Sequence, residues 1–401
     1  MCVWDQRRTR YLVLVVSLCT YGVFYFNRLN LSAVLPLIIQ GTKLSYAEAS
    51  FVTSLFFVAY ALSQLFWGYL ADCIGSPKTV CIGGLLVALS NFLFGESRVL
   101  LQFMIAQCIN GWGQGAGWSP LIKLIANWFK GHERTTAMSL FTTSIPLSML
   151  ISYIVVGWLG LNFGWPTAFF ISALVMLCIT IIFRLVVRDS PKKLNAQHPL
   201  KEREDTNFKG AWRLVLLNAT VWKIGVSYSC LLLSYWGIAT WLPTYLVKIM
   251  DVSIFDATLI SGTVMASGLV SRPLAGLLLN KIFHGRKKVL IISCFIGSIP
   301  SICLISQFRN FIFVVSLLFV SCFLIQVPLP LLLTYQVELS PRKLSGTVIG
   351  FVNFLGQASS AVSMILVGLL LESFNMYEPV FIMFSASLLL GALAICLARE
   401  E

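Results

Sequence analysis

The sequence predicts an all-α membrane protein. Twelve transmembrane helices form two pseudo-symmetric six-helix bundles, with both termini cytoplasmic. Three observations carry that expectation. The 401 residues are 58% hydrophobic and only 11% charged, with a mean hydropathy of +0.85, far from the balance of a water-soluble domain. Apolar stretches long enough to span, about 20 residues each, recur from end to end. The cations fall on one side of those stretches, which accounts for the net charge of +13 without any nucleic-acid partner.

Taken in order, the spans fall near 11–39, 46–71, 79–95, 99–127, 135–160, 167–187, 216–247, 254–280, 288–306, 311–337, 346–371 and 377–398. Several exceed the bilayer minimum, as expected of tilted helices that run past the headgroups. None shows the short alternating pattern of a membrane β-barrel. Residues 1–10, MCVWDQRRTR, hold no apolar stretch suited to a cleavable signal, so the first span is expected to direct insertion itself. With a cytoplasmic N-terminus, Lys43, Arg98, Lys248 and Arg309 face outward, and Arg28, Lys123 and Arg272 lie within spans. The remaining cations among the 29 Lys and Arg fall inside, and that asymmetry sets the topology.

The run RDSPKKLNAQHPLKEREDTNFKG at 188–210 mixes signs as a solvated linker does. Three units follow: an N-terminal bundle at 1–188, a linker at 189–213 and a C-terminal bundle at 214–401. A repeat relates the halves. GYLADCIGSPKTV, with Gly68, Asp72, Gly75 and Lys78, is matched by GLLLNKIFHGRKKVL, with Gly276, Asn280, Gly285 and Lys288. NWFKGHERTTAM, containing Arg134, echoes VELSPRKLSGTV, containing Arg342. These segments read as a cytoplasmic gate formed by Gly68, Asp72, Gly75, Lys78, Arg134 and Arg342. In it a carboxylate meets helix N-termini or basic partners, and glycine permits the tight turn. The eleven cysteines are scattered without a CxxC pair and His132, His198 and His284 lie far apart. No metal or cofactor is therefore expected.

The informative residue of the first span is Arg28, in FYFNRLNLSAV. A charge near mid-membrane costs at least about 2.5 kcal/mol if it faces lipid, so it is expected to face the bundle interior. Tyr21, Tyr25, Arg28 and Ser32 follow helical spacing on one face. The acids sit toward span ends, so no resident carboxylate is available to Arg28, and the counter-charge is expected to be an anionic substrate. In the eighth span Arg272 stands eight residues before Asn280, about 12 Å from the inner end. It either binds that anion, snorkels inward, or takes carbonyls freed by Pro273. In the fourth span the pairs Gly111/Gly115 and Gly113/Gly117 allow close packing, while Gln107 and Gln114 line the cavity. Lys123 either snorkels or touches substrate. Asn353 and Gln357 in the eleventh span supply further polar lining, and Tyr235 in the seventh either offers its hydroxyl to a polar ligand or packs as an aromatic core residue. Gln326, Pro328 and Pro330 mark a pliable tenth helix.

The repeated loop motif resembles the signature of the major facilitator superfamily. FNRLN, GWGQGAGWSP with NWFKGHER, WLPTYL and ELSPRKLSGTVIGF together resemble the organophosphate:phosphate antiporters, with the anion:cation symporters as near relatives. That resemblance implies a transporter driven by a gradient, with Arg28 at the family's first arginine. The chain departs from the pattern elsewhere. Registering on WLPTYL puts Tyr235 where a second arginine stands, Ile145 falls where a histidine is used, and Asn27 precedes Arg28 where the symporters commonly carry an acid.

The expectation is a secondary transporter in the plasma membrane, or the inner membrane of a bacterium. It moves a sugar phosphate, sugar acid or carboxylate by alternating access and exchange. It works as a monomer among membrane lipids, with a counter-anion or a proton as the coupled partner and no enzymatic activity. The alternatives are a proton-coupled anion symporter, a drug exporter and a non-transporting membrane sensor of a sugar phosphate.

Overall fold

A computed structural model describes residues 3–42, 44–129, 131–189, 216–338 and 345–398. Within these residues the helices make twelve crossings. The first six are Val3–Thr42, Tyr46–Ile74, Ser76–Glu96, Leu100–Trp128, Gly131–Phe163 and Trp165–Val186. The last six are Ala219–Met250, Ile254–Lys281, Lys287–Ile305, Phe311–Glu338, Ser345–Phe374 and Glu378–Cys396. The expected linker at 189–213 falls outside the described residues, apart from Asp189.

Three crossings are broken, each where the sequence weakens the helical ladder. The fourth is helical over Leu100–Gln114, tightens to a 3-10 turn at Gly115–Gly117 and resumes at Ser119–Trp128 with Pro120 in its first turn. The glycines read as packing positions therefore also mark a break. Among the described residues, eleven of the twelve crossings are long and apolar enough to span by composition alone, and the fourth is the exception. The eighth breaks at Ser267, between Ile254–Ala266 and Gly268–Lys281. The tenth breaks at Val327, just before Pro328, which has no N–H to donate.

Within the N-terminal half the first crossing packs on the fifth and sixth, and the third on the fourth and sixth. In the C-terminal half the seventh packs on the eleventh and twelfth. The halves meet along three seams: second with eleventh, fifth with eighth, and first with seventh. Close approach at these seams depends on small residues, as in membrane bundles generally. A Cβ on Gly368 would collide with Ser50 and lie 2.8 Å from the Tyr46 carbonyl oxygen, and one on Gly157 would collide with Thr258.

These contacts lie toward the outer ends. Tyr46 packs against Trp241, and Lys248 Nζ sits 4.3 Å from the Tyr46 ring. The Ala47 amide donates to Glu372 Oε2 at 3.0 Å, and the Tyr153 hydroxyl donates to the Ala239 carbonyl. Toward the inner ends, a Cβ on Gly276 or Gly350 would meet no atom within 4 Å. The structure is thus sealed on its outer face.

Candidate functional site

The first crossing brings its stripe to the centre of the molecule. Arg28 is 7% exposed, so its charge is withdrawn from lipid. Its Nη2 donates to Gln114 Oε1 at 3.3 Å, across to the fourth crossing. Gln114 is held in turn, donating from Nε2 to the Phe24 carbonyl at 2.8 Å. Two rings lie against the guanidinium: its Cζ is 4.4 Å from the Tyr25 centroid and 4.3 Å from that of Tyr60. Trp236, from the opposite half, approaches to 5.7 Å. Each cation–π contact contributes about 0.5–2 kcal/mol and leaves the charge in place. The Arg28 Nε is buried and has no hydrogen-bond partner. No carboxylate lies within ion-pair distance of it among the described residues.

Other expected residues gather around this point. Tyr21 is buried, 5.2 Å ring to ring from Tyr25 and stacked on Phe141 at 4.7 Å. Tyr235 is buried, donates to Met149 Sδ at 3.1 Å, and packs against Trp236 at 5.4 Å ring to ring. Arg272 is half-buried; its Nη2 donates to Gln326 Oε1 at 3.2 Å, and its Nε has no partner. In the eleventh crossing Gln357 is buried with an unpartnered Oε1, and Asn353 is half-buried. Lys123 is placed differently, with Nζ donating to the Ala71 carbonyl at 2.8 Å. In this form it holds the second crossing.

At the inner end of the N-terminal half, Gly75 has φ 88° and caps the third crossing. The carboxylate at that helix N-terminus is Asp189: its Oδ1 accepts from the Ser76 amide at 3.2 Å. An anion there opposes the positive end of the helix dipole. Arg10 pairs with Glu133 at 2.7 Å, fastening the first crossing to the fifth. Lys78 is an exposed helical residue. Gly68, Asp72 and Arg134 lie in helices, but their side chains, like the whole of Arg342, are outside the described residues.

Sequence reasoning missed Tyr60 and Trp236, and read Gln326 only as a mark of a pliable tenth helix. Tyr60 carries a detectable signal, because Ser63 and Gln64 follow it in YALSQLFWG and make a polar patch in an apolar helix. An apolar groove of about 370 Å³, lined by Leu55, Val58, Leu62, Cys108 and Trp112 among others, has exposed walls and belongs to the lipid face.

A buried, uncompensated arginine between two six-helix halves describes a carrier of charged solutes. The chain belongs to the Major Facilitator Superfamily, whose model matches residues 17–364 and 282–401; it is a multi-pass membrane transporter. It is 26% identical to the glycerol-3-phosphate transporter of Bacillus subtilis (strain 168), over 98% of this chain and 92% of that one. It is 25% identical to the probable sulfoacetate transporter of Cupriavidus necator, over 96% and 93%. Its fold matches that of a bacterial homologue of the human lysosomal transporter Spinster in an inward-facing, unoccupied conformation. The TM-score is 0.81 at 14% identity, covering 97% of this chain and 95% of that one.

Proposed function

We propose that the protein exchanges small organic anions carrying a tetrahedral oxyanion head, such as a phosphate ester or a sulfonate, across the membrane. The observation that carries this reading is the Arg28 guanidinium, buried, with an unpartnered Nε and without an acidic partner among the described residues. Such a charge is costly inside a membrane. A bound anion offsets that cost with charge-assisted hydrogen bonds. The two relatives named above support the chemistry, since glycerol 3-phosphate and sulfoacetate both present a tetrahedral oxyanion.

Arg28 is the main anchor and Arg272 the second. Tyr21, Tyr25, Tyr235, Gln114, Asn353 and Gln357 line the site, and Lys123 engages the anion in another conformation. The halves 1–188 and 214–401 rock about the site, joined by 189–213, within a single chain. Gly68, Asp72, Gly75, Lys78, Arg134 and Arg342 close the inner mouth when the outer one opens. Neutralisation of the cavity by ligand favours the occluded state, so loaded carrier reorients more readily than empty carrier. A counter-anion rather than a proton completes the cycle. Asn27, whose side chain donates to the Val23 carbonyl at 2.8 Å, does not titrate.

Counterflow tests this directly. Proteoliposomes loaded with phosphate or with sulfoacetate should accumulate labelled glycerol 3-phosphate or sulfoacetate, and should do so without a pH gradient. Uptake that requires a proton gradient, or none with any oxyanion, would overturn the reading.

A further inference from the structure

Arg272 and Arg28 are held in the same way, although repeat symmetry does not relate the two arginines. Gln114 in the fourth crossing and Gln326 in the tenth occupy matching helices of the two halves. The arginines do not match, because Arg28 belongs to the first crossing and Arg272 to the eighth. Even so, each arginine donates from Nη2 to a glutamine Oε1, at 3.3 Å for Arg28 and 3.2 Å for Arg272. Each glutamine is fully buried and anchored through Nε2. Gln114 donates to the Phe24 carbonyl, and Gln326 donates to Ser267 Oγ at 3.0 Å and to the Met265 carbonyl at 3.3 Å. Each arginine keeps a buried Nε with no partner.

The break in the eighth crossing serves this arrangement. Gln326 reaches into the interruption at Ser267, where its amide takes the Met265 carbonyl and the Ser267 hydroxyl. A Cβ at the next residue, Gly268, would collide with Gln326 Oε1 and lie 3.3 Å from Arg272 Nε. Glycine there leaves room for the glutamine–arginine contact. The seventh crossing carries the contact to the other arginine: Trp236, whose ring centroid lies 5.7 Å from Arg28 Cζ, packs on Tyr235 at 5.4 Å ring to ring.

The choice of glutamine has a physical consequence. A carboxylate at either place would hold the guanidinium more tightly but cancel its charge. A neutral amide oxygen orients the group and leaves the charge for the ligand. Two guanidiniums, one from each half and each held by a neutral amide rather than a carboxylate, form an electrostatic environment suited to two negative charges.

We infer that Gln326 is a positioning residue for a second anion anchor, Arg272, and that this pair makes the site select ligands bearing two negative charges over ligands bearing one. The inference rests on the anion-exchange reading given above.

The test uses purified full-length protein and two probes of similar shape at about pH 8. Glycerol 3-phosphate there carries close to two negative charges, and its monomethyl phosphodiester carries one. Wild type should bind the first at least about tenfold more tightly. Gln326→Met, which keeps the length and removes the acceptor, should cut that ratio about fivefold or more and change diester affinity less than about twofold. Gln326→Glu, which keeps an acceptor but neutralises Arg272, should abolish the preference as well, so the result does not hang on whether one variant folds well. Gln114→Met should weaken both probes together, because it acts through Arg28. An unchanged ratio in Gln326→Met or Gln326→Glu, with diester binding intact, overturns this inference alone. Failure of wild type to bind either probe overturns it together with the exchange reading.

Discussion

The two outer seams between the halves occupy equivalent places in the repeat, yet they are built differently. Ser50 precedes Gly68 by the same interval as Thr258 precedes Gly276, and Gly157 and Gly368 lie at matching depths in the fifth and eleventh crossings. In both seams a glycine admits a hydroxyl-bearing residue from the other half. At the second–eleventh seam, however, Gly368 also presses on the Tyr46 backbone carbonyl, and the carboxylate of Glu372 accepts from the Ala47 amide. The position matching Glu372 in the fifth crossing is Leu161, which is exposed. One seam is tightened by a backbone carbonyl and by a charge at a helix N-terminus; the other closes on side chains, with a Cβ on Gly262 coming no nearer than 3.3 Å to the Leu150 carbonyl oxygen. The second–eleventh seam is therefore expected to be the stiffer, and outward opening is expected to start at the fifth–eighth seam.

Substitutions at the two seams can break or sharpen this contrast. The largest effect is expected from Gly368→Leu. Its side chain meets a carbonyl that cannot move aside, and overpacking of this kind costs about 1–3 kcal/mol. Amides near 46–57 should then exchange with deuterium about tenfold faster or more as the outer face opens. Gly157→Val should act in the same direction at roughly a third of that free energy, because Thr258 can turn away. A larger effect from Gly157→Val than from Gly368→Leu would reverse the ranking of the seams.

Glu372→Gln comes next. A charge at a helix N-terminus contributes about 0.3–1 kcal/mol, so opening should rise only two- to fivefold by the same exchange measurement, and high salt should erase the difference from wild type. Of the same order is Tyr60→Leu. It removes a ring 4.3 Å from Arg28 Cζ, a contact of about 1 kcal/mol. Anion affinity measured by titration should drop about fivefold while counterflow persists. Complete loss of transport would instead make Tyr60 a ligand of the substrate.

The contrast between what the sequence shows and what it hides has a physical cause. Helical spacing alone put Tyr21, Tyr25 and Arg28 on one face, and the structure sets Tyr25 over the guanidinium. Periodicity also located the crossings to within four residues at every end but one, because lipid demands long apolar runs; the exception is the first, whose helix begins at Val3 rather than near 11. Tyr60, Trp236 and Gln326 were hidden because their importance comes from neighbours on other helices, brought close only by the packing of two halves. The same holds for Asp189. Its place at an inner end was readable, but its bond to the Ser76 amide spans much of the N-terminal half. The break at Gly115–Gly117 was hidden for a different reason: glycines that allow close packing and glycines that loosen a helix look alike in sequence.

The account turns on whether a solute, rather than the protein, supplies the negative partner of Arg28. Isothermal titration of purified wild type and Arg28→Met with glycerol 3-phosphate and sulfoacetate addresses that directly. Loss of the guanidinium should weaken the tighter-binding anion by about a hundredfold while the melting temperature without ligand stays level or rises, since a costly buried charge has gone. Undiminished affinity in Arg28→Met, or a variant that unfolds for want of an internal ion pair, would contradict it.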